Sequence, residues 1–218
     1  MLLDLLLENT FMVLLVIVGA YFFGCFNGAV IVSKYILRDD VRNHGSGNAG
    51  LTNFYRTFGG VLTFVVIGTD VLKAVLAVLL GSFVLSGIDP ELMVLGKLLA
   101  GMCCILGHMF PCMFRFKGGK GILSGGTIAI MLDWRVAIIV WGAFIILVLL
   151  TRFVSLGSIA AGVGFPLTTG YFIGGMDHII LATIIGFLLV WGHRANIKRL
   201  LAGEENKFSF RRKKAGGT

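Results

Sequence analysis

Two glycine-rich loops in this chain combine the residue types that hold phosphate groups. The first spans residues 45–53 (GSGNAGLTN) and is followed by Arg56, and the second spans residues 116–121 (FKGGKG). Glycines let several backbone N–H groups approach one anion, and a nearby Arg or Lys supplies positive charge. The first loop lies between two long apolar segments, and the second follows a long one and precedes a short one. Together they predict a phosphate-binding site at the surface of a membrane.

The first loop offers both backbone and side-chain donors. Hydroxyl and amide side chains can donate to phosphate oxygens, and an Arg can bind a phosphate through two parallel hydrogen bonds. The alternative is an ordinary glycine-rich turn between helices, which explains the glycines but not the donors and the Arg. The residues that we predict to contact substrate here are Ser46, Gly47, Asn48, Gly50, Thr52, Asn53 and Arg56.

The second loop leads directly into a short helix that begins near Ile122. Free N–H groups at a helix N-terminus and the ammonium group of a lysine form an anion site. The loop resembles the end of a nucleotide-binding P-loop, but the full G-x-x-x-x-G-K-[ST] signature is absent. His108 lies just upstream of this loop, and a structural and a functional role are equally open for it. The candidates are His108, Gly118, Gly119, Lys120 and Gly121.

A third cluster lies near the C-terminus. At helical spacing His193 and Asn196 share one face, and Arg199 lies beside Asn196. A basic anchor at the end of a last helix is the alternative. Asp70 and Lys73 lie three residues apart inside an apolar segment, where charges are costly unless they are paired or functional. For this pair, a structural ion pair and a contact with the phosphate site both remain open.

Several kinds of chemistry lack the residues that they need. Apart from Asp70, the three clusters contain no carboxylate before Glu204, which disfavours paired-carboxylate hydrolysis and metal-dependent phosphoryl transfer. No histidine has an Asp five positions later, and no G-x-S-x-G elbow occurs. Cys103, Cys104 and His108 can be imagined as metal ligands, but packing inside a bundle explains the cysteines better. We predict no metal, no cofactor and no disulfide.

The composition indicates a membrane protein. Of the 218 residues, 57% are hydrophobic and 14% are charged, against about 45–50% and about 25% in an ordinary soluble domain. The net charge of +8 could indicate a protein that binds nucleic acid. However, Lys and Arg lie in short loops and a tail between apolar segments, which is typical of the cytoplasmic side of a membrane protein. We expect membrane lipids and no nucleic acid as partners.

Seven apolar segments predict an all-α integral membrane protein, a bundle of about seven transmembrane helices with one short member. The segments are residues 11–36, 61–88, 92–110, 122–132, 136–150, 154–173 and 179–191. A crossing helix needs about 20 residues, whereas the 122–132 segment reaches only about 16 Å. A shallow crossing and a re-entrant helix both fit this length. We favour the crossing, because a re-entrant helix would put Arg152 outside.

The loop charges predict the orientation. Lys and Arg concentrate after the first and third segments and in the C-terminal tail, whereas the opposite loops are acidic except at Arg135. The N-terminus is therefore expected outside and the C-terminus in the cytoplasm, with both glycine-rich loops on the cytoplasmic side. We expect one membrane-embedded catalytic domain over residues 1–203. Residues 204–218 are expected to form a basic, mobile tail, attracted to anionic lipid by about 1 kcal/mol per charge.

In combination, the three clusters resemble the acyl-phosphate-dependent glycerol-3-phosphate acyltransferases of bacteria, the PlsY family. Residues 45–56 match its G-S-G-N-x-G-x-T-N-x-x-R motif, residues 107–121 its G-H-x-x-P and F-x-G-G-K-G motifs, and residues 193–200 its H-R-x-N-I-x-R-L motif. The D-x-x-K-G signature of the family is present except that Ala74 replaces the glycine, and Ala49 and Asn27 stand where the family often has proline. The resemblance covers almost the whole chain, in order.

The resemblance implies a reaction in phospholipid synthesis. The primary (sn-1) hydroxyl of glycerol 3-phosphate attacks the carbonyl of a fatty acyl phosphate, and lysophosphatidic acid and phosphate are released. It also implies that the backbones of residues 47–53 and 118–121 hold the acyl phosphate. We expect a monomer in the bacterial inner membrane with its active site at the cytoplasmic face. The implied glycerol 3-phosphate site consists of Ser46, Arg56, Lys120, His193 and Asn196.

The proton acceptor and the class of function have alternatives. The proton of the attacking hydroxyl can go to His193 or His108, or to a phosphate oxygen of the substrate, which the scarcity of carboxylates favours. A phosphate transporter and an anionic-lipid-binding scaffold are the competing functions. Transporters tend to have repeats and binding segments at the membrane midplane, whereas these clusters lie on one side. A scaffold leaves the glycine-rich loops without a role.

Overall fold

The computed structural model describes residues 7–208, which contain helices and no β-strand. A π-helical turn, Val32–Ile36, follows the second helix, and 3-10 turns lie at Val41–Asn43, Pro90–Leu92 and Cys112–Phe114. The α-helices that lie wholly within this range are α1 Thr10–Cys25, α2 Gly28–Ile31, α3 Leu51–Thr57, α4 Leu62–Ser86, α5 Met93–Met109, α6 Ile122–Leu132, α7 Trp134–Thr151, α8 Val154–Phe172, α9 Met176–Gly192 and α10 Arg194–Leu201.

Four stretches of the described chain are long and apolar enough to cross a membrane. A fifth candidate combines α9 and α10, which are bent by 56° at a short break. The predicted all-α fold is thus confirmed for residues 7–208, while the number of crossings and their orientation remain predictions. The four stretches are Thr10–Ile36, Leu62–Ser86, Pro90–Phe114 and Trp134–Thr151.

Helix α5 lies at the centre of the bundle, in contact with α1, α4, α6 and α9. Gly81 of α4 and Gly96 of α5 face each other so closely that a Cβ on either would collide with the carbonyl of the other. Gly24 of α1 approaches the backbone of Cys104 in α5 in the same way. Small residues let helix backbones pack closely in lipid, where no hydrophobic effect drives helices together. Cys103 and Cys104 are buried in this interface.

The first predicted segment, residues 11–36, is interrupted in the structure. α1 ends at Cys25, and Asn27 starts α2 by accepting a hydrogen bond of 3.0 Å from the Val30 N–H. The Asn27 amide also donates to the Ala49 carbonyl at 3.0 Å, which joins the break to the first glycine-rich loop. The apolar residues on both sides conceal this break from a hydropathy pattern. It arises because an Asn side chain competes with the helix for backbone groups.

Helix α6 has 11 residues and a length of about 16 Å. Lys97 of α5 closes its C-terminal end, where Nζ donates to the Met131 carbonyl at 3.0 Å. Asp133 then caps α7 by accepting from the Arg135 N–H at 2.7 Å. A cation is favourable at the C-terminal carbonyls of a helix. The short helix therefore ends at polar groups that have partners.

Candidate active site

A cavity of about 240 Å³ lies where the C-terminal ends of α5 and α9 meet the N-terminal ends of α6 and α8. It brings together residues from all three predicted clusters. Gly47, Lys73, Gly118 and Gly119 are the predicted residues that are not in its lining. The predicted residues that line it are Ser46, Asn48, Gly50, Thr52, Asn53, Arg56, Asp70, His108, Lys120, Gly121, His193, Asn196 and Arg199.

Asn196 connects Lys120 to a carboxylate. Lys120 Nζ donates to Asn196 Oδ1, and Asn196 Nδ2 donates to Glu205 Oε1 at 2.8 Å. Asn196 itself is buried. Burial, and next the nearby Arg199 guanidinium, lowers the pKa of Lys120 to about 8. The cavity therefore contains an ammonium group that loses its charge at mildly alkaline pH.

Glu205 is a site residue that the sequence analysis missed. Its side chain is 6% exposed, and it accepts hydrogen bonds from Ser155 Oγ at 2.9 Å and Arg199 Nε at 2.7 Å as well as from Asn196. Burial by itself raises the pKa of the Glu205 carboxyl, but the three hydrogen bonds outweigh it and hold the pKa below its usual range. A cue in the sequence was Gly203, because a glycine often ends a helix. In the structure its φ is 72°, and the chain turns there after α10.

The first residues of the predicted tail lie against the rest of the protein. Arg56 Nη2 donates to the Asn206 carbonyl at 3.3 Å, and the Phe208 N–H donates to the Arg152 carbonyl at 2.7 Å. Asn206 also lines the cavity. Glu205 and Asn206 therefore form part of the cavity wall, and the chain after them continues against the protein as far as Phe208. The remainder of the predicted tail, residues 209–218, lies outside the described residues.

Asn53 supports the first glycine-rich loop from within. Its Nδ2 lies 3.1, 3.0 and 3.1 Å from the carbonyl oxygens of Val41, His44 and Asn48. Its Oδ1 accepts a hydrogen bond of 3.1 Å from the Ser46 N–H. The loop backbone thus uses both the donors and the acceptor of this buried amide. The other polar side chains of the loop are left to contact a ligand.

The second glycine-rich loop differs from its prediction. The N–H groups of Gly118 and Gly119 each donate at 3.1 Å to carbonyls at the end of α5, those of Met109 and His108. A Cβ at either glycine would collide with His108. These two glycines therefore serve close packing, and their N–H groups are already engaged. Lys120 and Gly121, the last two residues of the loop, do line the cavity.

The two loops are also joined to each other. The Ala49 N–H donates to the Gly118 carbonyl at 3.4 Å. Arg42, which the sequence analysis did not single out, donates from Nη1 to the Phe114 carbonyl at 2.9 Å. Asp40 holds the same guanidinium in an ion pair of 2.7 Å. The loops therefore form one connected surface beside the cavity.

The two histidines of the site have different ring partners. His193 Nδ1 lies 2.8 Å from the Leu189 carbonyl oxygen, so Nδ1 carries the proton and Nε2 is unprotonated in the neutral ring. His108 Nδ1 instead lies 2.7 Å from Lys73 Nζ. Lys73 also contacts Asp70 Oδ1 at 2.6 Å, so the predicted Asp70–Lys73 ion pair forms and touches a histidine of the site. Both rings are buried.

The lining combines positive charge with an apolar side. Its cations are Arg56, Lys120 and Arg199, and both of its carboxylates are paired with cations. Trp141 and Phe144 of α7 belong to the apolar side and also border a narrow crevice between α6, α7, α8 and α9. Among residues 7–208, no group of three His, Cys, Asp or Glu side chains is placed to hold a metal ion. The arrangement suits a ligand with an anionic head and an apolar chain.

Proteins of similar sequence share one description. Residues 14–203 match the model of a family described as glycerol-3-phosphate acyltransferase. The glycerol-3-phosphate acyltransferase of Thermoanaerobacter pseudethanolicus is 38% identical over 188 residues, which cover 86% of this chain and 91% of the relative. The protein of the same name from Bacillus subtilis (strain 168) is 36% identical over 199 residues, which cover 91% and 99%.

Two solved structures share the fold. A crystal structure of PlsY, an integral membrane glycerol 3-phosphate acyltransferase, in its glycerol 3-phosphate form matches with a TM-score of 0.81 at 30% identity and covers 90% of this chain and 96% of that one. The lysophosphatidic acid form matches with a TM-score of 0.78 at 29% identity. The chain therefore belongs to the PlsY family of glycerol-3-phosphate acyltransferases, which are multi-pass membrane enzymes.

Proposed function

We propose that this acyltransferase takes its acyl group from a fatty acyl phosphate and transfers it to the primary (sn-1) hydroxyl of glycerol 3-phosphate. The products are lysophosphatidic acid and inorganic phosphate. The observation that carries the proposal is the cavity in which three cations accompany an apolar side. Two phosphate groups and one acyl chain match this distribution of charge and apolar surface.

Glycerol 3-phosphate is assigned to the cationic part of the cavity. Arg56 and Lys120 bind its phosphate, while Ser46, His193 and Asn196 orient its hydroxyl groups. The chain of hydrogen bonds from Lys120 through Asn196 supports this assignment, since it fixes these groups before substrate arrives. One well-placed donor of this kind typically stabilises developing negative charge by about 3–4 kcal/mol. The related PlsY structure in its glycerol 3-phosphate form supports a site for this substrate in the same fold.

Acyl phosphate is assigned to the first loop and to the start of α6. The backbone and side chains at Asn48, Gly50 and Thr52 line the cavity there. The first N–H groups of α6 have no acceptor within the helix, and the N-terminal end favours an anion. His108 and Arg199 are further phosphate contacts. The acyl chain follows the apolar side toward the crevice beside α7.

The transfer itself needs little from the protein beyond positioning and charge. The hydroxyl oxygen attacks the acyl carbon, the bond from that carbon to the phosphate oxygen breaks, and phosphate leaves. In the route that we favour, a phosphate oxygen of the substrate takes the hydroxyl proton. His193 Nε2 is the alternative acceptor, because its lone pair is free in the neutral ring. A His193→Ala variant with kcat reduced about a thousandfold and an unchanged KM would establish His193 as the base.

We further propose seven crossings, with the N-terminus outside and the C-terminus, the glycine-rich loops and the cavity on the cytoplasmic side of the inner membrane. The cavity receives C-terminal ends from α5 and α9 and N-terminal ends from α6 and α8, which supports alternating helix directions. The Lys97 contact supports a shallow crossing by α6. The basic loops favour the cytoplasmic side. The enzyme acts as a monomer, and its catalytic domain extends past residue 203 to include residues 204–208.

A reconstituted assay tests the donor. Purified protein in lipid vesicles receives palmitoyl phosphate and radiolabelled glycerol 3-phosphate in the presence of a metal chelator. We expect lysophosphatidic acid and an equal amount of phosphate, and the Lys120→Ala variant should lose most of this product. Palmitoyl-CoA serves as the control donor. Product from the thioester but not from the acyl phosphate would overturn the donor assignment, and phosphate uptake without acyl transfer would support a transporter.

A further inference from the structure

Three buried ionisable side chains form a connected group next to the cavity. Asp70 and Lys73 lie one turn apart on α4, and His108 lies in the last turn of α5. They are 1%, 3% and 3% exposed. Lys73 Nζ lies 2.6 Å from Asp70 Oδ1, 2.7 Å from His108 Nδ1 and 3.2 Å from the Phe26 carbonyl oxygen. The lysine is thus the centre of the group.

These contacts determine where His108 carries its proton. An ammonium group has three hydrogens and no lone pair, so it can only donate. With one hydrogen on the Asp70 carboxylate and one on the Phe26 carbonyl, the third points at His108 Nδ1, which must accept it. Nδ1 therefore holds the lone pair, and the proton of the neutral ring lies on Nε2. A proton on Nδ1 would instead face the ammonium group.

The Nε2 atom is the part of His108 that is free to meet a ligand. His108 lines the cavity, and no hydrogen bond to its Nε2 occurs within the described residues. Gly119 passes so close that a Cβ there would collide with Nε2, so glycine at this position leaves the N–H uncovered. Among residues 7–208 the fully buried side-chain polar atom without a partner is Thr63 Oγ1, so the Nε2–H of His108 is open to the cavity rather than sealed inside the protein. A ligand oxygen in the cavity would satisfy it.

We infer that Lys73 is a positioning residue that holds His108 in the Nε2–H tautomer, so that the uncharged ring donates a hydrogen bond to an anionic oxygen of the substrate. The inference rests on the proposed function for the identity of that oxygen, a phosphate oxygen. The other tautomer would turn a lone pair toward the anion and repel it. Asp70 balances the lysine charge inside the membrane, where an unpaired ammonium group is expensive.

The contrast with His193 gives the two rings complementary roles. The Leu189 carbonyl selects the tautomer of His193 that presents a lone pair to the cavity. Lys73 selects the opposite tautomer in His108. One neutral histidine therefore offers an acceptor, which suits a substrate hydroxyl, and the other offers a donor, which suits a phosphate oxygen.

The tautomer can be measured without turnover. Protein labelled with 15N in its histidine side chains is examined by NMR in lipid, and the H108Q spectrum assigns the ring of His108. We expect an unprotonated Nδ1 and a protonated Nε2 whose resonance moves on addition of glycerol 3-phosphate or inorganic phosphate. A protonated Nδ1 in the unmodified protein would overturn the inference. Because this readout is independent of the acyl donor, it separates failure of the inference from failure of the proposed function.

A double-mutant cycle tests the consequence for catalysis. Lys73→Met keeps the length of the side chain but removes its donors, and we expect kcat/KM to fall about tenfold to a hundredfold. In the H108Q background the amide supplies an N–H without a tautomer choice, so the same change should add little loss. Lys73→Arg should retain most activity. Equal losses in both backgrounds would show that Lys73 serves only as a structural ion pair and would contradict the inference. If Lys73→Met fails to fold, the NMR measurement of the His108 tautomer in the unmodified protein tests the inference instead.

Discussion

The Glu205 carboxylate accepts a hydrogen bond of 2.8 Å from the Asn196 amide, and this bond determines which end of the amide faces Lys120. The two ends of an Asn amide have nearly the same shape but opposite hydrogen-bonding character. A carboxylate can only accept, so Glu205 takes the NH₂ end and leaves Oδ1 for the lysine. A residue just after α10 thereby orients two groups of the proposed glycerol 3-phosphate site.

Glu205→Gln is expected to disturb this orientation while keeping the side-chain shape. The variant removes the charge that pairs with Arg199 and allows the Asn196 amide to turn over. Hydrogen bonds to charged groups contribute about 1.5–3 kcal/mol, so kcat/KM should fall about tenfold to a hundredfold. Steady-state kinetics and thermal unfolding measure the effect. The exposed neighbour Glu204 provides the matched control, and Glu204→Gln should change neither value; equal losses in both variants would contradict the assignment.

The lowered pKa of Lys120 predicts a specific pH dependence. Its pKa of about 8, compared with 10.5 for an ordinary lysine, means that the phosphate-binding charged form is present below pH 8 and disappears above it. The value of kcat/KM for glycerol 3-phosphate should therefore fall as pH rises through about 8, since kcat/KM reports the free enzyme. Lys120→Arg keeps its charge to about pH 12 and should flatten this decline. A wild-type profile that stays level up to about pH 10 would contradict the prediction.

The position of the site was predictable because its signals are local and repeated. Glycines and cations interrupt apolar segments, and alternating segment directions bring Lys120 and Asn196 to the same end of the bundle although they are far apart in the chain. The break before Asn27 was not predictable from hydropathy, because apolar residues continue on both sides. Its cause is a single amide that binds both the Val30 N–H and the Ala49 carbonyl.

The roles of individual residues inside the motifs were harder to predict from the sequence. A glycine that exposes its N–H to phosphate and one that packs against a neighbouring backbone look alike in sequence, and Gly118 and Gly119 prove to pack against His108. Glu205 was hidden for a related reason, because a polar stretch after the last apolar segment resembles a solvated tail. Only the turn at Gly203 and the convergence of three donors make this carboxylate part of the site.

Lys97→Met tests the hydrogen bond between Lys97 and the C-terminal end of the short helix α6. The methionine keeps the apolar stem but leaves the Met131 carbonyl without its cationic donor. We expect the free energy of unfolding to fall by about 1–3 kcal/mol, with kcat nearly unchanged because Lys97 is not in the cavity lining. Thermal unfolding followed by tryptophan fluorescence measures the loss. Glu91→Gln, at an exposed position shortly before α5, is the control, and a similar shift in both variants would argue against a role for this contact.

Asn53→Ala and Ser46→Ala separate support of the first loop from contact with substrate. Removing the Asn53 amide leaves the carbonyls of Val41, His44 and Asn48 and the Ser46 N–H without their side-chain partner. This variant should lose both activity and about 2–3 kcal/mol of stability. Ser46→Ala should lose activity at an unchanged melting temperature, because the hydroxyl is exposed at the cavity rather than used by the loop. If Asn53→Ala has normal stability and its only defect is a raised KM, Asn53 contacts the substrate, as predicted from the sequence, and does not support the loop.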